Sequence, residues 1–156
     1  MSKLRIKEII CVAALLLFIV LLTTQNKQSA ADPQQVFNDV CAAIDVSALE
    51  ERREDQFKKA FGFDASDFEF VGYLASSDVM EVREVLLVKL PAGTDEEPLL
   101  EKIRTRVEDK AELFAGYAPE QSGYLETFAL RTRGGYVLYV VSEAPDAAVR
   151  AFKKAL

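Results

Sequence analysis

In VREVLLVKLPAG (Val82–Gly93) a run of β-branched and aliphatic residues stops at a Pro-Ala-Gly turn. That pattern predicts a strand over Val82–Leu90 ended by Pro91-Ala92-Gly93. A helix is expected immediately after it, over about Asp95–Ala115. Pro98 lacks an N–H, so it must fall within the first three helical positions, and Asp95 as N-cap satisfies this. Leu99, Leu100, Ile103, Val107, Ala111 and Phe114 recur at helical spacing as its buried stripe, and Gly116 ends it.

Working outward, Phe68–Ala75 reads as a strand joined to Val82–Leu90 through Ser76-Ser77-Asp78. On the far side, Gly123–Arg131 and Tyr136–Ser142 read as two strands around Arg133-Gly134-Gly135, a strong hairpin signal. Pro145 opens a last helix with Val149, Phe152 and Leu156 on one side. Upstream, Asp32-Pro33 supplies an N-cap and a first-turn proline for a helix with Val36, Phe37, Val40, Cys41 and Ile44 on one face. Cys41 on that face reads as a packed apolar residue. A second helix is expected over Ala48–Phe61, with Leu49, Phe57, Ala60 and Phe61 inward and Gly62 as its cap. The fold class is therefore α+β: a four-stranded, mainly antiparallel sheet of two β-hairpins separated by a long helix, with flanking helices. Residues 32–156 form this domain. Its strands carry apolar residues on both sides, Phe68, Phe70 and Leu74 against Val71, Tyr73 and Ala75, so helices are expected over both faces.

The N-terminus is different in kind. A basic region (1–8) with Lys3, Arg5 and Lys7 precedes an apolar segment (9–24), followed by a polar linker (25–31, ending Gln28-Ser29-Ala30-Ala31). The 16 residues Ile9–Thr24 make a helix of about 24 Å, against a hydrocarbon core of about 30 Å. Ile6 and a snorkelling Lys7 bring it near spanning length. The expectation is a transmembrane anchor with the N-terminus cytoplasmic and the domain extracytoplasmic at the cell membrane. The alternative is a secretory signal cleaved near Ala31, where Ser29-Ala30-Ala31 offers small residues. Cys11 opens the apolar run rather than closing it, which argues against a lipoprotein.

Charge and absent residues exclude whole classes. The net charge is −6; Lys3, Arg5, Lys7 and Lys27 against Glu8 give residues 1–31 a charge of +3, so residues 32–156 carry −9. Such a domain is not expected to bind nucleic acid or to lie flat on anionic lipid. With no His, the commonest general base and metal ligand are missing. No cofactor, metal or catalytic residue is expected. Two carboxylate groups, Asp64, Asp67 and Glu69, and Asp95, Glu96 and Glu97, could in principle serve a wall-polymer hydrolase, but turns, caps and macrodipole complementarity explain them. Gly134-Gly135 joins two strands and so is no phosphate cradle.

The run from Glu84–Leu90 (EVLLVKL) through the helix ending Phe114-Ala115-Gly116, then Tyr117-Ala118-Pro119-Glu120-Gln121, a strand, a glycine turn and Tyr136–Val141 (YVLYVV), resembles an uncharacterised bacterial family, domain of unknown function four-three-five-eight. The resemblance covers about Asp32–Leu156. It implies a membrane-anchored or lipidated extracytoplasmic protein of Gram-positive bacteria and transfers no activity. The functional expectation is a non-catalytic binding or protein-interaction domain of the cell envelope, its partner another envelope protein or a second copy. A carboxylate enzyme and an extracytoplasmic ligand sensor are the alternatives. The candidate interaction surface is Tyr117, Pro119, Glu120 and Gln121, with Tyr73 and Tyr139 on the sheet.

Overall fold

The computed structural model describes residues 10–17 and 28–156. The basic region 1–8, half of the apolar segment 9–24 (residues 9 and 18–24) and linker residues 25–27 lie outside the described residues. Residues 10–17 are helical with Ile10, Val12, Leu15, Leu16 and Leu17 exposed. No helix among the described residues is long and apolar enough to cross a membrane.

The domain is a five-stranded antiparallel sheet between two helical layers. In chain order its elements are α1 (Pro33–Ala42), β1 (Glu50–Glu51), α2 (Glu54–Phe61), β2 (Phe70–Ala75), β3 (Glu84–Lys89), α3 (Glu97–Phe114), α4 (Pro119–Glu126), β4 (Ala129–Arg133), β5 (Tyr136–Val141) and α5 (Pro145–Ala155). A 3-10 turn, Ala65–Asp67, leads into β2. The strand order is β1-β2-β3-β5-β4. The two hairpins are brought together by β3 and β5, with Leu86 opposite Tyr139 and Lys89 opposite Tyr136. Every residue of β3 and of β5 is buried.

Helices cover both sheet faces, as the two-sided apolar strands require. Val36, Phe37 and Val40 of α1 and Val149 and Phe152 of α5 pack with Val85, Leu87, Leu138 and Val140 on one face. Phe57 and Phe61 of α2, Leu99, Ile103 and Val107 of α3 and Leu125 of α4 pack with Tyr73, Leu86, Val88, Val137 and Tyr139 on the other. The first face tolerates one very close approach. A Cβ on Gly72 of β2 would lie 2.8–2.9 Å from the ring atoms Cγ, Cδ1 and Cδ2 of Phe37, so the ring sits flat on the strand. Gly72→Ala is expected to destabilise the domain by about 1–3 kcal/mol through overpacking. Phe37→Leu in the same chain should recover part of the loss, read from the urea midpoint; an unchanged midpoint for Gly72→Ala would show that the ring is not seated there.

Four expectations are corrected. The sheet has five strands rather than four, because Ala48–Arg53 is not helical. Glu50 and Glu51 pair with Ala75 and Leu74, and the Arg52 N–H donates to the Tyr73 carbonyl at 2.8 Å. The exposed edge of β2 has unpaired backbone groups that recruit this segment, and α2 starts only at Glu54, where the Arg53 N–H donates to Gln56 Oε1. Gly123–Arg131 is not one strand: α4 occupies Pro119–Glu126, with proline in its first turn and the Ser122 N–H bonded to the Ala118 carbonyl. β4 begins only at Ala129. Helix α3 begins at Glu97 with Pro98 in its first turn, and Asp95 accepts from the Glu97 N–H one residue outside the cap. Ala111 is exposed and does not belong to the buried stripe of α3. The Asp32 cap is as expected, its carboxylate accepting from the Gln34 N–H.

Candidate functional site

On the face covered by α2 and α3, register aligns Tyr73 of β2, Leu86 of β3 and Tyr139 of β5 in one row. Glu84 lies two residues before Leu86 and so shares its face. Both tyrosine hydroxyls reach diagonally to the Glu84 carboxylate: Tyr73 donates to Oε2 at 2.9 Å and Tyr139 to Oε1 at 2.7 Å. Above them α3 carries Arg106 and Lys110, four residues apart and therefore on one side of the helix. The Arg106 guanidinium donates through Nε to Oε1 at 2.9 Å and through Nη2 to Oε2 at 2.9 Å. Lys110 Nζ lies 3.0 Å from Oε1. The Phe61 ring of α2 closes the cluster, 5.3 Å from the guanidinium carbon and 5.3 Å from the Tyr73 ring.

The Glu84 side chain is 0% exposed. Burial alone would raise its pKa, but Lys110, Arg106 and the hydrogen bonds from Arg106 and Tyr139 outweigh it and hold the carboxyl below the usual carboxylate range. Burial, then the neighbouring Glu84 charge, push both Tyr73 and Tyr139 upward, so they remain hydroxyl donors. Burial lowers Lys110, with Glu84 opposing it, whereas Glu84 raises Arg106 despite its own burial. One buried carboxylate thus faces two cations, and the cluster carries a surplus positive charge. Both carboxylate oxygens are engaged, which leaves Glu84 no geometry for proton transfer to a substrate.

That surplus opens into a cleft of about 530 Å³ between α2, the β2–β3 connection and the end of α3. Arg52, Lys59, Arg83, Arg106 and Lys110 line it against Asp78 and Glu81. Arg83 is paired with Glu81 at 2.8 Å; among the described residues Arg52 and Lys59 form no ion pair. The rim is apolar. Within residues 28–156 the exposed large hydrophobic side chains are Val79 (87% exposed), Met80 (41%), Leu113 (76%) and Tyr117 (72%). Val79 and Leu113 line the cleft, Met80 adjoins Val79, and Tyr117 is joined to Phe114 of the cleft wall by its N–H. Exposed apolar residues scattered singly need no explanation, but two that line one cationic cleft, with Met80 and Tyr117 close by in the chain, do.

The residues singled out from sequence are distributed across this region. Tyr117 is exposed just beyond the end of α3. Pro119 and Glu120 form the first turn of α4, Glu120 accepting from the Tyr124 hydroxyl at 2.8 Å. Gln121 Oε1 accepts from the Val82 N–H at 2.9 Å and so holds the start of β3. Tyr73 and Tyr139 are buried beneath the cleft. Asp64 pairs with Lys58 at 2.7 Å on the surface, and among the described residues no group of three His, Cys, Asp or Glu side chains could hold a metal ion. Cys41 is half-buried, and burial pushes its thiol up to about 11. Glu84, Arg106 and Lys110 were missed. The signal was present: a carboxylate inside a strand apolar on both sides, and two cations at helical spacing beside the Ile103–Val107 stripe.

A family model described as Domain of unknown function (DUF4358) matches residues 42–142, a span that contains the whole cluster. No curated protein matches, and no solved structure matches.

Proposed function

The chain belongs to the family described as Domain of unknown function (DUF4358), and from that premise we propose that it is a non-catalytic binding module tethered to the outer face of the cell membrane. Its partner is another envelope protein, which places an acidic segment flanked by apolar side chains in the cleft between α2 and α3. The observation that carries this reading is the coincidence of two strongly exposed apolar side chains, Val79 and Leu113, with a cationic lining, in a domain of net charge −9. Apolar contact supplies the burial; Arg52, Lys59 and the surplus charge of Arg106 and Lys110 select a negative segment. The anchor rests on the basic region and the apolar run 9–24, and the exposed apolar side chains of residues 10–17 support it.

The test is site-directed photo-crosslinking in intact cells. A photoreactive residue at Leu113 or Val79 is expected to capture one envelope protein, and the same residue at exposed Glu108 is not. Arg52→Glu with Lys59→Glu should lower the yield at least about tenfold, because like charges across an interface cost several kcal/mol. Equal capture from Glu108, or hydrolysis of wall polymers by the purified chain, would overturn the proposal.

A further inference from the structure

Residues 28–31 do not hang free as a linker. The Ser29 N–H donates to the Gly134 carbonyl at 2.8 Å, and the Tyr136 hydroxyl donates to the Ala31 carbonyl at 2.6 Å. Lys89, only 4% exposed, donates to the carbonyls of both Ser29 and Gly134, at 3.0 and 3.1 Å, with its ammonium 4.2 Å from the centre of the Tyr136 ring. The β4–β5 turn is shaped to receive this strap. Gly134 and Gly135 have φ of 58° and 79°, and a Cβ on Gly134 would lie 2.9 Å from Ser29 Cβ. A Cβ on Gly135 would collide with the Gln28 side-chain amide. The two glycines therefore serve the strap as well as the turn.

From the anchor reading above, and resting on it, we infer that this strap clamps the domain to the bilayer in one orientation, with the cleft facing outward. The apolar run ends at Thr24 and the described strap begins at Gln28, a reach of at most about 14 Å even when fully extended. The β4–β5 turn and the Lys89 end of β3 are consequently the membrane-proximal end of the domain. Glu84 and the cleft lie at the other end of β3, six residues in length and so about 17 Å farther along the strand. A flexible tether would let the domain tumble, and its −9 charge gives it no affinity for anionic headgroups. The clamp alone sets the orientation. The partner segment that enters the cleft accordingly belongs to an extracytoplasmic part of the partner and approaches from outside, rather than along the bilayer.

The experiment uses the full chain in vesicles of phosphatidylcholine and phosphatidylglycerol carrying a headgroup-attached quencher, in a Cys11→Ser, Cys41→Ser background. A fluorophore is placed at Thr132→Cys beside the strap or at Ser77→Cys beside the cleft, both positions being exposed. Quenching at Thr132 is expected to be several-fold that at Ser77, and Lys89→Met with Tyr136→Phe should bring the two toward equality. Equal quenching in the unaltered strap, or stronger quenching at Ser77, with the chain still floating with vesicles, overturns the clamp while leaving the anchor intact. A chain that does not float with vesicles overturns the anchor itself, and the clamp with it.

Discussion

Glu84→Leu is expected to destabilise the domain by about 3–5 kcal/mol, because it leaves two cations buried without their carboxylate. That is a large share of the about 5–15 kcal/mol typical of a domain. Arg106 and Lys110 have side chains only 23% and 18% exposed, so water cannot fully replace the lost partner. The loss should come from the broken pairing rather than from any absolute worth of the ion cluster. Replacing the cluster as a unit, with Arg106→Met, Lys110→Met, Tyr73→Phe and Tyr139→Phe added to Glu84→Leu, is expected to restore most of the stability. The same carboxylate sets an acid limit. Its pKa in the folded chain lies below the ordinary 4.5, so the unfolded chain takes up the proton first as pH falls. The stabilisation is full above the ordinary value and is lost as pH drops through the folded value. Urea midpoints followed from about pH 5 to about pH 3 should fall steeply in the native chain and less steeply in Glu84→Leu. Identical slopes would show that Glu84 does not titrate in this way.

Phe61→Ala should cost about 3–5 kcal/mol, the range for truncating a buried aromatic. The Phe61 ring lies 5.4 Å from Phe57, 5.3 Å from Tyr73 and 6.4 Å from Tyr139, each at a tilted or edge-on angle, and it also carries the Arg106 guanidinium. It packs against the guanidinium that holds Glu84, so its loss admits water to the buried ion pairs as well as leaving a cavity. The effects of Phe61→Ala and Glu84→Leu should therefore not add. A double-mutant cycle is expected to show coupling of about 0.5–3 kcal/mol, as for residues sharing partners. With no Trp in the chain, near-ultraviolet circular dichroism is carried largely by its five tyrosines, of which Tyr73 and Tyr139 lie in this cluster. An additive cycle would mean that the ring packs independently of the cluster.

The elements legible in the sequence were those with a local cause. Asp32-Pro33 caps α1, Arg133-Gly134-Gly135 turns the β4–β5 hairpin, and the apolar stripe of α3 needs only helical spacing. The two-sided apolar strands also carried their own consequence, a sheet covered on both faces. What was not legible has non-local causes. Glu50 and Glu51 pair as a strand because the edge of β2 lacks partners, a demand that no window around Ala48–Phe61 contains. The segment after Pro119 is the helix α4, which sets Gln121 against the start of β3, a contact that no local window contains. Alternation puts Tyr73 and Tyr139 on a sheet face that is expected to be covered, but that α2 and α3 close over these two side chains, removing them from the surface, depends on distant segments. Glu84 becomes informative only when Arg106 and Lys110 arrive from a helix 22 residues along the chain.

The proposed role and the orientation of the cleft both require the domain to stay joined to its apolar leader. Intact mass of the native protein, taken together with its partition between membrane, cytosol and medium, tests that most directly. An uncleaved chain, leader included, is expected in the membrane fraction. A chain beginning after Ala31 in the medium, or the uncleaved chain free in the cytosol, would contradict it.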